Sequence, residues 1–285
     1  MVKLLRGAGY VLGVLLLVVI LALAYVWIAS STTLNARVVP QTERLVTPSA
    51  AQLADGPRQL RILGCVSCHG EGLRGKLFFD EPNVAQLYAP NLTLVAAQAD
   101  DQQLARAIRQ GVGHDGRSLF AMPSSQYARL TDAEVASLIS AIRVQPKGGE
   151  QMSPVTIGLL GRVGIVSGKF KPQPVLVEEY SQSMPAVLGP QFAKGRHLAM
   201  TNCAECHGSS FGGGEPKPGL KAPDLSIVGA YDLPAFTKLM RTGVPASGKK
   251  LELMDGVARS DFSHFNDEEI AAIHSYLVER AQRAP

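Results

Sequence analysis

The sequence predicts an all-α chain in which an N-terminal transmembrane helix is followed by two tandem copies of one small helical domain. Three observations predict it. Residues 7–29 carry no charged side chain, a set of short motifs recurs once in the same order, and the segments between motifs show helical apolar periodicity with no run of alternating strand residues. At 285 residues the chain has room for two domains of roughly 100–150 residues each. With 46% hydrophobic and 18% charged residues it has the apolar material for packed cores.

The first element is the membrane segment. A helix over the 23 uncharged positions from Gly7 to Ala29 is long enough, at about 1.5 Å per residue, to cross a hydrocarbon core of roughly 30 Å. Lys3 and Arg6 precede it and Tyr25 and Trp27 sit near its far end, so the N-terminus is expected in the cytoplasm and everything after residue 30 on the outer side. Ala22-Leu23-Ala24 resembles a small-x-small cleavage site. The apolar run nevertheless exceeds the roughly 7–15 residues of a signal h-region, and the expectation is a retained anchor in contact with the bilayer through residues 7–29.

Charge excludes one class of partner. Of the net +4, residues 1–39 contribute Lys3, Arg6 and Arg37 with no acid, whereas residues 40–150 and 185–285 each hold 11 basic and 11 acidic side chains. Neither half has the basic excess that binding a phosphate backbone requires, so nucleic acid is not expected as a ligand.

All four cysteines fall in one pattern. Cys65-Val66-Ser67-Cys68-His69 and Cys203-Ala204-Glu205-Cys206-His207 are both C-x-x-C-H, the spacing that attaches a c-type haem. Two thiols three positions apart on a helical turn can each form a thioether with a haem vinyl group, and the adjacent histidine lies under the iron. A zinc site would need a second ligand pair per half, and a redox C-x-x-C explains neither the histidine nor the duplication. Two covalent haem c groups are therefore expected, on the outer face of a bacterial inner membrane.

The motifs head an internal repeat. Leu60 and the first C-x-x-C-H recur at an offset of 138, and Ala89-Pro90-Asn91-Leu92-Thr93 returns as Ala222-Pro223-Asp224-Leu225-Ser226 at 133. Arg109, Gly111, Val112, Gly116, Leu119 and Met122 return at an offset of 132 as Arg241, Gly243, Val244, Gly248, Leu251 and Met254. Thr131 and Glu134 form a capping box for a helix with Val135, Leu138, Ile139 and Ile142 on one face; Asn266 and Glu269 do the same for Ile270, Ile273 and Leu277. Asp100 caps a helix that ends before Gly111. Residues 145–190 hold six of the 18 prolines and read as an extended connector, whose apolar stretch Val155 to Ile165 is expected between the domains. The divisions are residues 1–39 for anchor and short stalk, 40–145 for the first domain, 146–187 for the connector and 188–285 for the second domain.

The order C-x-x-C-H, Pro-Asn/Asp-Leu, Gly-Val…Gly…Leu…Met and a capped terminal helix resembles class I cytochrome c, present twice over about two thirds of the chain. The repeat style is similar to the cytochrome subunits of bacterial membrane dehydrogenases, which usually carry three repeats where this chain has two. The resemblance implies that His69 and His207 are proximal iron ligands, that Met122 and Met254 are distal ligands, and that the carbonyls of Pro90 and Pro223 accept the proximal ring N–H. Met122 precedes Pro123 in the family's Met-Pro form, whereas Met254 precedes Asp255 and has a competitor in Met240, which reads as core. His114 and His264 do not correspond in the repeat. Arg109 and Arg241 read equally as partners of haem propionates or as solvated helix-end cations. Asn91-Leu92-Thr93 matches a glycosylation sequon, but its repeat partner is Asp-Leu-Ser.

Histidine–methionine ligation closes the iron and suits electron transfer. The expected function is a membrane-anchored dihaem carrier, not an enzyme, passing electrons from a periplasmic or membrane dehydrogenase towards a cytochrome or terminal oxidase. The alternative is a dihaem oxidoreductase or peroxidase-like enzyme with one open haem, the second being the better candidate because Asp255 replaces proline.

Overall fold

Helix starts in this chain are written by its capping residues. The computed structural model describes residues 2–217 and 219–283. The apolar N-terminal run is a single helix, α1 (Val2–Leu34), long and apolar enough to cross a membrane. The first domain follows. Ser49 and Gln52 box the start of α2 (Ala50–Ile62), and the C-x-x-C-H motif forms the short α3 (Cys65–His69). A hairpin of β1 (Lys76–Glu81) and β2 (Ala85–Ala89) comes next, then α4 (Leu92–Val95). Asp100 caps α5 (Asp101–Gln110), which ends on Gly111 at φ +67°. The domain closes with α6 (Ser124–Tyr127) and α7 (Asp132–Arg143), the latter boxed by Thr131 and Glu134.

The connector is structured, which corrects the expectation of an extended segment. β3 (Thr156–Ile157) pairs with the edge of β2, and α8 (Leu159–Val166) and α9 (Gln173–Gln182) follow. Pro172 caps α9 and Pro174 lies in its first turn, where a missing N–H costs no hydrogen bond. The apolar stretch does not pack between the domains: α8 lies against α1 and the β1–β2 turn.

The second domain repeats the first as α10 (Ala193–Asn202), α11 (Ala204–His207), β4 (Gly214–Lys217), β5 (Leu220–Ala222), α12 (Leu233–Thr242), α13 (Leu253–Ser260) and α14 (Asp267–Arg283). Asp232 caps α12, and Asn266 and Glu269 exchange the capping-box bonds at the start of α14. The two hairpins correct the all-α expectation, although helices still build both cores. Leu77-Phe78-Phe79 is a continuous apolar run and β4 and β5 are only 4 and 3 residues long, so neither shows the alternation that marks a half-buried strand.

Each core forms where the first helix of a domain crosses its last. A Cβ on Gly56 of α2 would lie 2.9 Å from Ala141 Cβ of α7, and one on Gly195 of α10 would lie 1.9 Å from the Ala272 carbonyl of α14. The missing side chains let the helices meet, and Leu60, Val135, Leu138 and Ile139 close the first core as Ile270, Ile273, Tyr276 and Leu277 close the second.

The domains join through a reciprocal interface. Arg58 of α2 grips Glu269 of α14 with Nη1–Oε2 at 2.7 Å and Nη2–Oε1 at 2.9 Å, while His197 of α10 meets Glu134 of α7 at 2.8 Å. Glu134 and Glu269 are the third residues of equivalent capping boxes, so each domain's capping glutamate binds the other domain's first helix. Ile62 is buried in the second domain's core.

The stalk is fixed too. Val38 N–H donates to the Gly116 carbonyl at 3.0 Å, Gln41 N–H to Gln110 Oε1 at 2.9 Å, and Gln102 Nε2 to the Glu43 carbonyl at 2.7 Å. The chain leaving α1 therefore runs bonded along the first domain.

Candidate functional site

Both C-x-x-C-H segments form a single helical turn, which brings two thiols and an imidazole to one short stretch of backbone. Glycine then turns the chain back identically in the two copies. Gly70 and Gly208 lie at φ +78° and +79°, Gly75 and Gly213 at +92° and +98°, and the N–H of Gly75 and Gly213 donates to the carbonyl of His69 and His207 at 2.7 and 2.9 Å. Leu73 and Phe211, offset by 138, hold positive φ of 57° and 67° without being glycine, and both are buried deeply enough for packing to offset the strain.

This turn delivers the histidines to the prolines. His69 Nδ1 lies 2.8 Å from the Pro90 carbonyl and His207 Nδ1 lies 2.8 Å from the Pro223 carbonyl. A carbonyl only accepts, so Nδ1 carries the proton and Nε2 keeps a free lone pair. Burial pushes both imidazoles below their ordinary pKa, which favours the neutral, ligating form, against a smaller opposing effect of the carbonyl contact. The four cysteines are unbridged thiols. Burial pushes Cys65 and Cys203 up to about 12 and Cys206 up to about 11, and raises Cys68. Paired protonated thiols beside a neutral imidazole with one free nitrogen are the donor set that a covalent haem needs, and these residues fit it.

Met122 and Met254 are half-buried and pack against the first and second cores. Their surroundings differ. Met122 lies in a loop before α6, and the connector helix α9 clamps that loop through buried Gln173, whose N–H donates to the Leu119 carbonyl at 2.7 Å and whose Oε1 accepts from Ser125 N–H at 2.9 Å. Met254 is the second residue of α13, and Asp255 takes up the space beside Gly243 while pairing with Arg259. Met240 is fully buried in the second core. His114 lines a cleft of about 280 Å³ with Pro90, Leu94 and Met152, and His264 lends its carbonyl to Arg58.

Arg109 and Arg241 take a third role beside the two anticipated for them. Arg109 bonds Asp132 at 2.9 Å and the Leu130 carbonyl at 3.1 Å and pairs with Glu43; Arg241 bonds Asp267 at 2.8 Å and the Ser263 carbonyl at 2.7 Å. Each ties α5 or α12 to the start of its domain's last helix. Asn91 is buried, with Oδ1 accepting from Thr93 N–H at 3.0 Å and Nδ2 donating to the Gly148 carbonyl at 2.8 Å, so the sequon residue serves the loop.

Sequence reasoning missed the residues between the two motifs. Ser67 donates to Asp261 of the second domain, and Glu205 N–H donates to Gln126 Oε1 of the first at 2.9 Å. Ser67 and Glu205 are repeat equivalents, and Gln126 and Asp261 each lie five residues before the capping residues Thr131 and Asn266, so this contact is reciprocal as well. Tyr127 is buried beside them and donates to the Leu63 carbonyl. Both C-x-x-C-H turns therefore lie at the domain boundary, where burial raises Cys68 and the charges of Asp261 and Glu205 add to it against Lys76.

Comparison with known proteins accords with this geometry. The family model described as "Cytochrome c" matches residues 192–281, and the model described as "Cytochrome C oxidase, cbb3-type, subunit III" matches residues 51–140. The fructose dehydrogenase cytochrome subunit of Gluconobacter japonicus is 24% identical over 247 residues, covering 75% of this chain and 49% of that protein. A nicotinate dehydrogenase subunit of Pseudomonas putida is 23% identical over 245 residues, covering 79% of this chain and 20% of that protein. The chain thus spans about half the length of one relative and a fifth of the other.

Proposed function

From the premise that the chain carries two cytochrome c domains and two covalently bound haem c groups, we propose that it is a membrane-anchored two-haem electron relay serving a dehydrogenase. The observation that carries this reading is that each C-x-x-C-H turn bonds the other domain across one interface, through Ser67–Asp261 and Glu205–Gln126. Haem c supplies one-electron exchange between ferric and ferrous iron. The chain supplies the rest. Cys65, Cys68, Cys203 and Cys206 hold the two groups, and His69 and His207 offer Nε2 with the tautomer fixed by Pro90 and Pro223. Met122 and Met254 supply thioether sulfurs that favour the reduced state.

The anchor reading assigns α1 to the bacterial inner membrane with the haem domains on the periplasmic side, residues 40–145 and 188–285 being the two domains. The donor is a membrane or periplasmic dehydrogenase, in keeping with the names of both relatives, and the acceptor is a cytochrome or terminal oxidase. A carrier needs both irons closed. Pyridine haemochrome analysis of the detergent-solubilised chain is expected to give two haems per polypeptide, and carbon monoxide is expected to leave the reduced spectrum unchanged. Ready carbon monoxide binding by one haem would make that centre an open site and replace the relay with an enzyme.

A further inference from the structure

The Trp27 ring of α1 remains 60% exposed, and its one close cationic neighbour among the described residues is Arg162 of α8, with Cζ 3.7 Å from the ring centroid. Arg162 Nη1 also donates to Ser30 Oγ at 2.8 Å and Ser31 Oγ at 3.0 Å. Tryptophan at the end of a membrane-spanning helix sits at headgroup depth. A guanidinium stacked on it sits there too, where it meets lipid phosphate while its stem stays in apolar surroundings.

The rest of α8 is oriented by glycine. A Cβ on Gly158 would lie 2.3 Å from the Asn83 carbonyl oxygen, and one on Gly161 would lie 2.2 Å from that of Val84. Two backbone bonds hold this face to the β1–β2 turn: Gly158 N–H to Val84 O and Leu160 N–H to Asn83 O, both 2.9 Å. With the glycine face committed to the domain and Arg162 to α1, the remaining face carries Leu159, Leu160 and Val163, exposed by 49%, 59% and 43%. Phe170 and the exposed Lys169 follow on the next turn of chain. Apolar residues facing out over a basic fringe, beside the exit of a membrane helix, have the composition of an interfacial segment.

We propose that α8 is a second membrane contact, a short helix lying in the bilayer surface with Leu159, Leu160 and Val163 in the acyl boundary and Arg162 and Lys169 among anionic headgroups. The inference rests on the reading of α1 as a retained anchor. The occupant is lipid because the exposed face continues that of α1, whose Tyr25 and Ile28 are bare at the same end. The contact would make the first domain sit on the membrane at a fixed tilt.

The test uses the full haem-loaded chain in nanodiscs of phosphatidylcholine and phosphatidylglycerol, with single nitroxide labels on cysteines placed at Leu16, Leu160, Lys169 or Ile227. The haem spectrum of each variant reports folding. A several-fold higher ratio of oxygen to nickel-chelate collisions at 160 than at 227, with 16 in lipid and 169 at headgroup depth, is the expected result. Label 16 in lipid with 160 and 169 open to the nickel chelate would overturn the inference and leave the anchor standing, pointing to a protein partner on this face. Label 16 in water, or lost by cleavage, would overturn both. Label 169 keeps the test valid where a label on α8 disturbs packing.

Discussion

Glu269 holds the N–H of Asn266 at 2.9 Å with one carboxylate oxygen and accepts two hydrogen bonds from Arg58, at 2.7 and 2.9 Å, from the other domain. The residue that starts α14 is thus the residue that docks α2. Arg58→Ala leaves this nearly buried carboxylate without its partner, at a cost of about 2 kcal/mol after allowance for the half-exposed guanidinium. Urea denaturation should show a lower midpoint, and the two haem domains, expected to unfold together in the parent chain, should separate into two transitions.

The reciprocal pair predicts a pH dependence. Glu134 is held below its ordinary carboxylate value of 4.5: burial alone would raise it, but the hydrogen bond and charge of His197 and the Thr131 contacts outweigh that. A carboxyl whose folded pKa is depressed contributes stability above its unfolded value, and loses it as pH falls through the folded one. Glu134→Gln should therefore lower the urea midpoint at pH 6 and change it little at pH 3. Equal loss at both pH values would sink the ion-pair explanation.

The methionines are tested one at a time. Met122→Ala and Met254→Ala should each let one haem bind carbon monoxide and lower that haem's reduction potential, because the thioether that favours ferrous iron is gone. An unchanged reduced spectrum with carbon monoxide in either variant would show that another group closes that site.

Glu205 stands next to Cys206 where the first motif has Ser67. Glu205→Gln removes a negative charge beside the second haem and should raise that haem's potential by tens of millivolts, with the other shifting less. Redox titration followed optically separates the two.

Gly195→Ala drives a methyl group to 1.9 Å from the Ala272 carbonyl oxygen, whereas Gly56→Ala meets Ala141 Cβ at 2.9 Å and the Ser137 carbonyl oxygen at 3.2 Å. Forcing α10 off α14 should cost on the order of 3 kcal/mol or more, and the Gly56 variant less, because its overlap is shallower and a small shift of α2 relieves it. Calorimetry of the two variants gives the comparison.

What could be read from sequence was what local chemistry decides. The boxes Thr131–Glu134 and Asn266–Glu269, the cap at Asp100, the turn at Gly111 and the inward faces of α7 and α14 all follow from residues within one or two turns of each other. The C-x-x-C-H spacing likewise fixes its own chemistry. The hairpins were hidden because Leu77-Phe78-Phe79 does not alternate, and α8 because Gly158, Gly161 and Gly164 lower helix propensity in order to lie against the β1–β2 turn and Phe170. Gln173, Gln126 and Asp261 carry no local signature; their roles arise from partners 48, 79 and 194 residues away.

The contacts across the domain boundary are reciprocal in the manner of a two-fold homodimer written on one strand of chain: each domain's first helix binds the other's capping glutamate, Arg58 on Glu269 and His197 on Glu134, and each C-x-x-C-H turn bonds the other domain, Ser67 to Asp261 and Glu205 to Gln126. A symmetric pair of redox centres exchanges charge without preference for either end. Direction in this molecule therefore has to reside in the positions where the two copies disagree, and serine against glutamate at 67 and 205 and proline against aspartate at 123 and 255 are among the disagreements beside the proposed iron ligands. Making the copies alike at those positions would keep the wire and remove its polarity.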